Sequence, residues 1–166
     1  MTMTDIDLNQ CLIDLPGSPF AQQLAWEAVV TIAPGMDLGA GPLGHRGMVP
    51  ITGGQFRGGP TYPDFHGTIL AGGADRQLLR ADGIKELRAI YEMRVADGTV
   101  LNIDNQVLVD ANAQPHRYAV SRVLVTAPKG KWDWLNRRFF LGSLHSHQPN
   151  PGYVVIRGWE VLNHAG

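Results

Sequence analysis

Few side chains in this sequence can move a proton or polarise a bond, and several of them sit beside glycine. Asp75 follows Gly72-Gly73-Ala74 and leads into an apolar stretch. A carboxylate held there, partly withdrawn from water, gains a raised pKa and can work as a general acid or base. Its plainer role is a turn cap that bonds its own backbone. Tyr91 lies on the apolar face of an alternating run. A buried phenol needs a partner, and in a cavity it would donate to a substrate carbonyl and steady a developing enolate. Otherwise it is a core tyrosine with its hydroxyl at the rim. Asp64 and His66, two apart, would share one face of an extended segment, and an Asp–His pair is a standard way to poise a base. Arg46, in Leu-Gly-His-Arg-Gly, is placed to anchor a carboxylate or phosphate through two hydrogen bonds, or simply to be a solvated loop arginine. Phe56, Trp132 and Trp134 supply flat apolar area for a ligand, or for a plug at the end of a barrel.

Other chemistries find less support. His145 and His147 are two apart, and with His66 or Asp75 they would make a three-ligand metal set. Nothing in the sequence fixes the third ligand, and Pro149-Asn150-Pro151-Gly152 reads as a solvated loop, so no metal is assigned. No serine or cysteine has the setting of a nucleophile. The glycine clusters form neither GxGxxG nor a P-loop, so nucleotide binding is not indicated and no cofactor is expected.

The chain of 166 residues reads as one domain, with residues 1–20 as an N-terminal arm and 21–166 as the body. Net charge is −1 and the only basic pair is Arg137-Arg138, which argues against a nucleic-acid partner. Cys11 is the single cysteine, so no intrachain disulfide can form. Asp5 and Asp7 stand where a signal peptide would carry basic residues, and no apolar run approaches the ~20 residues that span a bilayer. The expectation is a cytoplasmic protein without a membrane partner, a homo-oligomer through its arm or outer faces.

The elements that must position these groups read as strands. Gln22–Ala33 alternates with β-branched residues, and strands are also expected at Val49–Phe56, Thr68–Ala71, Gln77–Arg80, Thr99–Val109, Arg117–Thr126, Arg138–Leu144 and Tyr153–Leu162. Ile84–Val95 has helix-forming composition. Its Lys85, Leu87, Ala89, Tyr91, Met93, Val95 face is nonetheless mostly apolar, and Asp-Gly turns bound it at Asp82-Gly83 and Asp97-Gly98, so a long strand in a meander is favoured. Asp37–Gly47, with four glycines and a proline, reads as a loop, and Trp132–Asn136 as a loop or single helical turn. Eight or nine antiparallel strands joined by short turns favour a barrel, which removes the edges and has room for one small ligand. Glycine doublets at Gly53-Gly54, Gly58-Gly59 and Gly72-Gly73 mark sharp bends at its mouth.

The succession PITGGQFRG, GTILAGGAD, RADG, ELRAIYEMRVADGTVLNI, RYAV and WDWLNRRFFLG, over about Gly44 to Val161, resembles the DUF3237 family, also called UPF0311. The resemblance implies a small closed antiparallel barrel similar to the allene oxide cyclase and dirigent type. It implies little about the reaction. Lys131-Trp132-Asp133 stands where the family pattern has Tyr-Ala before W-L-N, and His66 and the His145/His147 pair look particular to this chain.

Few ionisable groups beside an apolar interior point to a cofactor-independent lyase or isomerase. It would act by proton transfer (hydration or dehydration, cyclisation or isomerisation) on a small, largely apolar carbonyl compound. Asp75 or the Asp64/His66 pair would move the proton, Tyr91 and Arg46 would polarise the oxygen, and the tryptophans would exclude water. A lipocalin-like carrier without catalysis is the alternative, and a barrel filled by its own side chains a third.

Overall fold

The computed structural model describes residues 7–13, 15, 17, 19–147 and 149–164. Ten strands follow a short helix, α1 (Leu8–Leu12), whose first turn is capped by the Asp7 carboxylate. They are β1 (Phe20–Ile32), β2 (Met36–Gly41), β3 (Gly44–Gly58), β4 (Gly67–Ile69), β5 (Ala74–Leu79), β6 (Lys85–Val95), β7 (Val100–Asp110), β8 (Tyr118–Thr126), β9 (Phe140–His145) and β10 (Tyr153–Asn163). No helix among the described residues is long and apolar enough to cross a membrane.

Every pairing is antiparallel. The sheet runs β1-β10-β9-β8-β7-β6-β4-β3, and β3 pairs back onto β1, which closes an eight-staved barrel. The short β4 and β5 share one stave, since both lie between β3 and β6. The other extra strand is β2, which overturns the expectation of a loop over Asp37–Gly47. Residues 36–41 and 44–48 form a hairpin around Pro42-Leu43. Its glycines supply what the strands need at their irregular points: Gly39 has φ of 82°, and a β-carbon on Gly44 would lie 2.2 Å from the Leu79 carbonyl oxygen. The remaining expected strands form. The Asp-Gly turns close the ends of β6, and a 3-10 turn covers Asp133–Arg137.

One end of the barrel is solid. Trp26 packs on Phe140 (centroids 5.0 Å apart) and edge-on to Phe65 (6.1 Å), while Phe65 meets Trp132 at 5.0 Å and Phe56 at 5.1 Å. Met93, Val95, Leu101, Ile103 and Leu135 fill the spaces between the rings. A bulge in β1 turns both Ala25 and Trp26 inward. Gly158 gives the Trp26 indole its seat, for a β-carbon there would fall 2.4 Å from the ring. The Trp132 indole N–H donates to Asp97 in the β6–β7 turn at 2.8 Å, which fixes the 3-10 turn over this end. Rings of this size, buried together, make truncation of any one cost about 3–5 kcal/mol.

Candidate active site in the barrel cavity

Above that plug the interior is hollow. A cavity of about 330 Å³ runs from Tyr91 to the opposite end, where Lys85, Arg117, Ser146 and Asn150 border it. Its wall between is apolar: Leu87, Val107 and Val109 form a separate cluster with Ala119 and Leu144. The hollow has a local cause. Asp75, Ala89 and Asn105 are register partners across β5, β6 and β7, so their side chains lie side by side on the inner face. The middle one carries only a methyl group, and all three residues line the cavity.

Tyr91 lies two residues further along β6, on the same face. It is 3% exposed and Asn105 is 2% exposed. Four buried side-chain polar atoms lack a hydrogen-bond partner among the described residues, and three of them, Asp75 Oδ1, Tyr91 Oη and Asn105 Oδ1, belong to residues that line this cavity. Buried polar atoms are nearly always partnered, and leaving one unpaired costs about 1–3 kcal/mol, so three at one void mark a place built for polar atoms from outside.

The glycine doublet sets this geometry. The Gly73 carbonyl accepts from Ile51 N–H at 2.9 Å, and Gly72, with φ of 109°, turns the chain into β5. Asp75 Oδ2 then accepts from the Gln77 side-chain amide at 2.7 Å. Burial holds the Asp75 carboxyl above its ordinary range, against the opposing pulls of the Gln77 amide, the Lys85 charge and the Arg88 backbone N–H. Burial alone pushes the Tyr91 phenol far up, so it stays protonated and is a donor.

The structure brings Asp75 and Tyr91 together and does not bring the other sequence candidates to them. Asp64 and His66 are exposed in the loop before β4, at the plugged end. Residues two apart share a face only where the backbone is extended, and here a turn intervenes, with Phe65 N–H bonded to the Tyr62 carbonyl at 3.0 Å and Phe65 buried under Trp132. Asp64 pairs with Lys131 at 3.4 Å rather than with His66. Phe56 and Trp132 are buried in the plug, and Trp134 stacks on Tyr62 at 4.7 Å. Arg46 points outward, into an open groove on the outer wall with Arg76, Arg88 and Arg122. His145 is exposed at the end of β9, and His147 is exposed beside Tyr153.

Asn105, Gln77, Lys85 and Arg117 were missed. Asn105 is the one polar side chain on the inward row Leu101, Ile103, Asn105, Val107, Val109, and Lys85 is the one charge on the inward row of β6. Each breaks an apolar alternation, and that break was the available signal.

The fold is thus a closed antiparallel β-barrel with one plugged end and a cavity, floored by a polar cluster, at the other. The chain belongs to the DUF3237 family: residues 21–161 match the family described as "Protein of unknown function (DUF3237)". A UPF0311 protein of Rhodopseudomonas palustris (strain TIE-1) is 33% identical over 132 residues, 72% of this chain and 82% of the relative. A UPF0311 protein of Clostridium acetobutylicum is 40% identical over 63 residues, a stretch covering 38% of this chain and only 37% of that relative's length. A conserved protein of unknown function from R. palustris superposes with a TM-score of 0.77 at 24% identity, over 87% of this chain and 99% of the other. A protein from Penicillium herquei described as an enzyme superposes with a TM-score of 0.68 at 21% identity, over 89% and 98%.

Proposed function

We propose that the protein is a lyase or isomerase that works by proton transfer on a small, largely apolar carbonyl compound bound in the barrel. The observation that carries this reading is the trio of unpartnered buried polar atoms on Asp75, Tyr91 and Asn105 around one void. Their chemistry divides the work. The Tyr91 hydroxyl donates to the substrate carbonyl oxygen. The Asp75 carboxylate takes a proton from the adjacent carbon, and the C–H electron pair moves onto that oxygen as an enolate. The Asn105 carbonyl accepts from a substrate hydroxyl or from a departing water.

The proton on Asp75 then has two destinations. Delivered to another carbon, it completes an isomerisation. Delivered to a β-hydroxyl group as that leaves, it releases water. In the reverse sense, Asp75 removes the proton from water or from a tethered hydroxyl, whose oxygen adds to the double bond in hydration or cyclisation. A base whose pKa burial raises above its ordinary value is suited to each of these, and removing such a group costs ~10²–10⁴-fold. The P. herquei barrel described as an enzyme has the same shape, so the fold is compatible with catalysis. A carrier would use the same hollow but has no need of a carboxylate that burial drives toward its neutral form.

Deuterium wash-in provides a test that needs no knowledge of the natural substrate. The protein is incubated in D₂O with a panel of aryl alkyl ketones, and loss of the α-proton signal is followed by NMR. The expected result is wash-in above the buffer rate for at least one ketone. Asp75→Asn slows it about 100-fold or more, and Tyr91→Phe slows it less. Wash-in at the buffer rate across the panel, or wash-in that survives Asp75→Asn, overturns the proposal.

A further inference from the structure

We infer that the ligand of this cavity is a small carboxylic acid. Its carboxylate is held at the mouth by Lys85 and Arg117, and an apolar spacer separates it from the carbonyl that reacts at the floor. This rests on the reading of the cavity as the reaction site and adds the substrate class.

The ionisable side chains lining the cavity are Asp75, Lys85, Tyr91 and Arg117. Tyr91 is neutral, and Asp75 is the only acid. Two fixed cations thus face at most one carboxylate, and none when Asp75 is protonated. Neither Lys85 nor Arg117 has an ion pair among the described residues; the Lys85 charge acts on Asp75 only at a distance. A surplus of positive charge in a partly closed mouth attracts and holds an anion.

Position argues the same way. Lys85 begins the inward row that continues through Leu87, Ala89 and Tyr91, and it pairs with Val109 on β7, which in turn pairs with Ala119 on β8. Arg117 stands two residues before Ala119, so it extends the inward row of β8 past the end of the barrel wall. Both cations therefore border one rim. Between this rim and the floor lies the collar of Leu87, Val107, Val109 and Leu144. The order from outside inward is cations, apolar collar, polar trio. A ligand that satisfies all three is an anion, then hydrocarbon, then a carbonyl or hydroxyl function. An α-keto acid, with its carboxylate next to the carbonyl, would leave either the cations or the trio unmatched. Arginine adds a planar fork that fits a carboxylate through two hydrogen bonds.

The test compares β-benzoylpropionate, whose carboxylate is two methylenes from the ketone, with its neutral primary amide. Each is titrated into ¹⁵N-labelled protein and followed by amide chemical shifts. The expected result is that both move the signals around Tyr91 and Asn105, and that the acid binds at least tenfold more tightly. Lys85→Met/Arg117→Met, which replaces the two rim cations with uncharged side chains, is expected to bind acid and amide alike. Equal binding by the native protein overturns the inference and leaves the cavity reading standing, as does a preference for the acid that survives the double substitution. If neither compound moves those signals, the cavity reading falls, and this inference with it.

Discussion

Gly73 lies against Tyr91: a β-carbon on the glycine would come within 2.6 Å of the tyrosine Cβ and 2.6 Å of the Ile90 carbonyl oxygen. The obstructing atoms belong to the strand itself, so they cannot swing aside. The absence of a side chain at Gly73 is what lets the chain cross close above β6 and deliver Asp75 to the register position beside Ala89.

The neighbouring glycine is needed for a different reason, and the pair can be told apart. Gly73→Ala is expected to push β5 from β6, costing roughly 1–3 kcal/mol, and to shift the Tyr91 amide resonance. Gly72 has open space around its β-position but a φ of 109°. Gly72→Ala is expected to cost about 1–3 kcal/mol in backbone strain alone and to leave the Tyr91 resonance in place. Chemical denaturation and amide spectra of the two variants check this. Equal movement of Tyr91 in both would contradict the assigned roles.

The raised pKa of Asp75 has a consequence for stability. Burial disfavours its charged form, so the folded chain holds this proton to higher pH than the unfolded chain, whose carboxyl titrates at its ordinary value of 3.8. Stability contributed by this group is therefore full below that value and falls as pH rises toward the folded pKa. Asp75→Asn removes the titration. The variant is expected to be more stable than the native protein at neutral pH, with the advantage shrinking as pH drops to about 3.8. Urea midpoints of both proteins across acidic and neutral pH measure it. An asparagine variant less stable at pH 7 would mean that the charged carboxylate, through Gln77 or Lys85, stabilises the fold.

The inward placement of Tyr91 was legible in the sequence because it lies within a strand whose alternation says which way it points; Asp75 was singled out only by the glycine doublet before it, since β5 begins at Ala74 and not at the expected Gln77. β6 shows the limits of the same method. Its inward face was identified, including Lys85, yet a lysine at a strand end reads as solvated until the cavity beneath it is seen. Arg117 could not have been found, since its direction depends on where β8 begins. Asp64 and His66 failed for the reverse reason: spacing places two side chains on one face only if the backbone is extended, and the turn that buries Phe65 removes that premise. β2 was lost because its glycines carry no side-chain pattern. The pairing that holds it is made by the first half of β3, and that same half is in turn held by β5, whose residues 74–79 pair with residues 45–50.

At the plugged end Glu160, 3% exposed, accepts from the Tyr62 hydroxyl at 2.5 Å, the Gln23 amide at 2.8 Å and the Arg138 guanidinium at 3.2 Å. Unlike the floor of the cavity, this cluster satisfies its own members, which marks it as structural. Tyr62 records the environment: burial, then the Glu160 hydrogen bond and charge, raise its pKa from 10.0 to about 12. The folded chain keeps the phenol proton that the unfolded chain gives up. Stability is therefore full below pH 10.0 and declines as pH rises toward about 12. Glu160→Gln removes the charge, leaves the Tyr62 hydroxyl at most a neutral amide acceptor, and keeps burial, the largest cause. The Tyr62 titration, followed by tyrosinate absorbance against a Tyr62→Phe reference, is expected to move down without returning to its ordinary value, and the alkaline window of lost stability to narrow. Exchanging the carboxylate for an amide also leaves Arg138 without its counter-charge, so the variant is expected to melt lower at neutral pH. Ligand-induced shifts at Tyr91 are expected to be unchanged, because the plug separates the two clusters. Coupled loss of both would show that the closed end also shapes the open one.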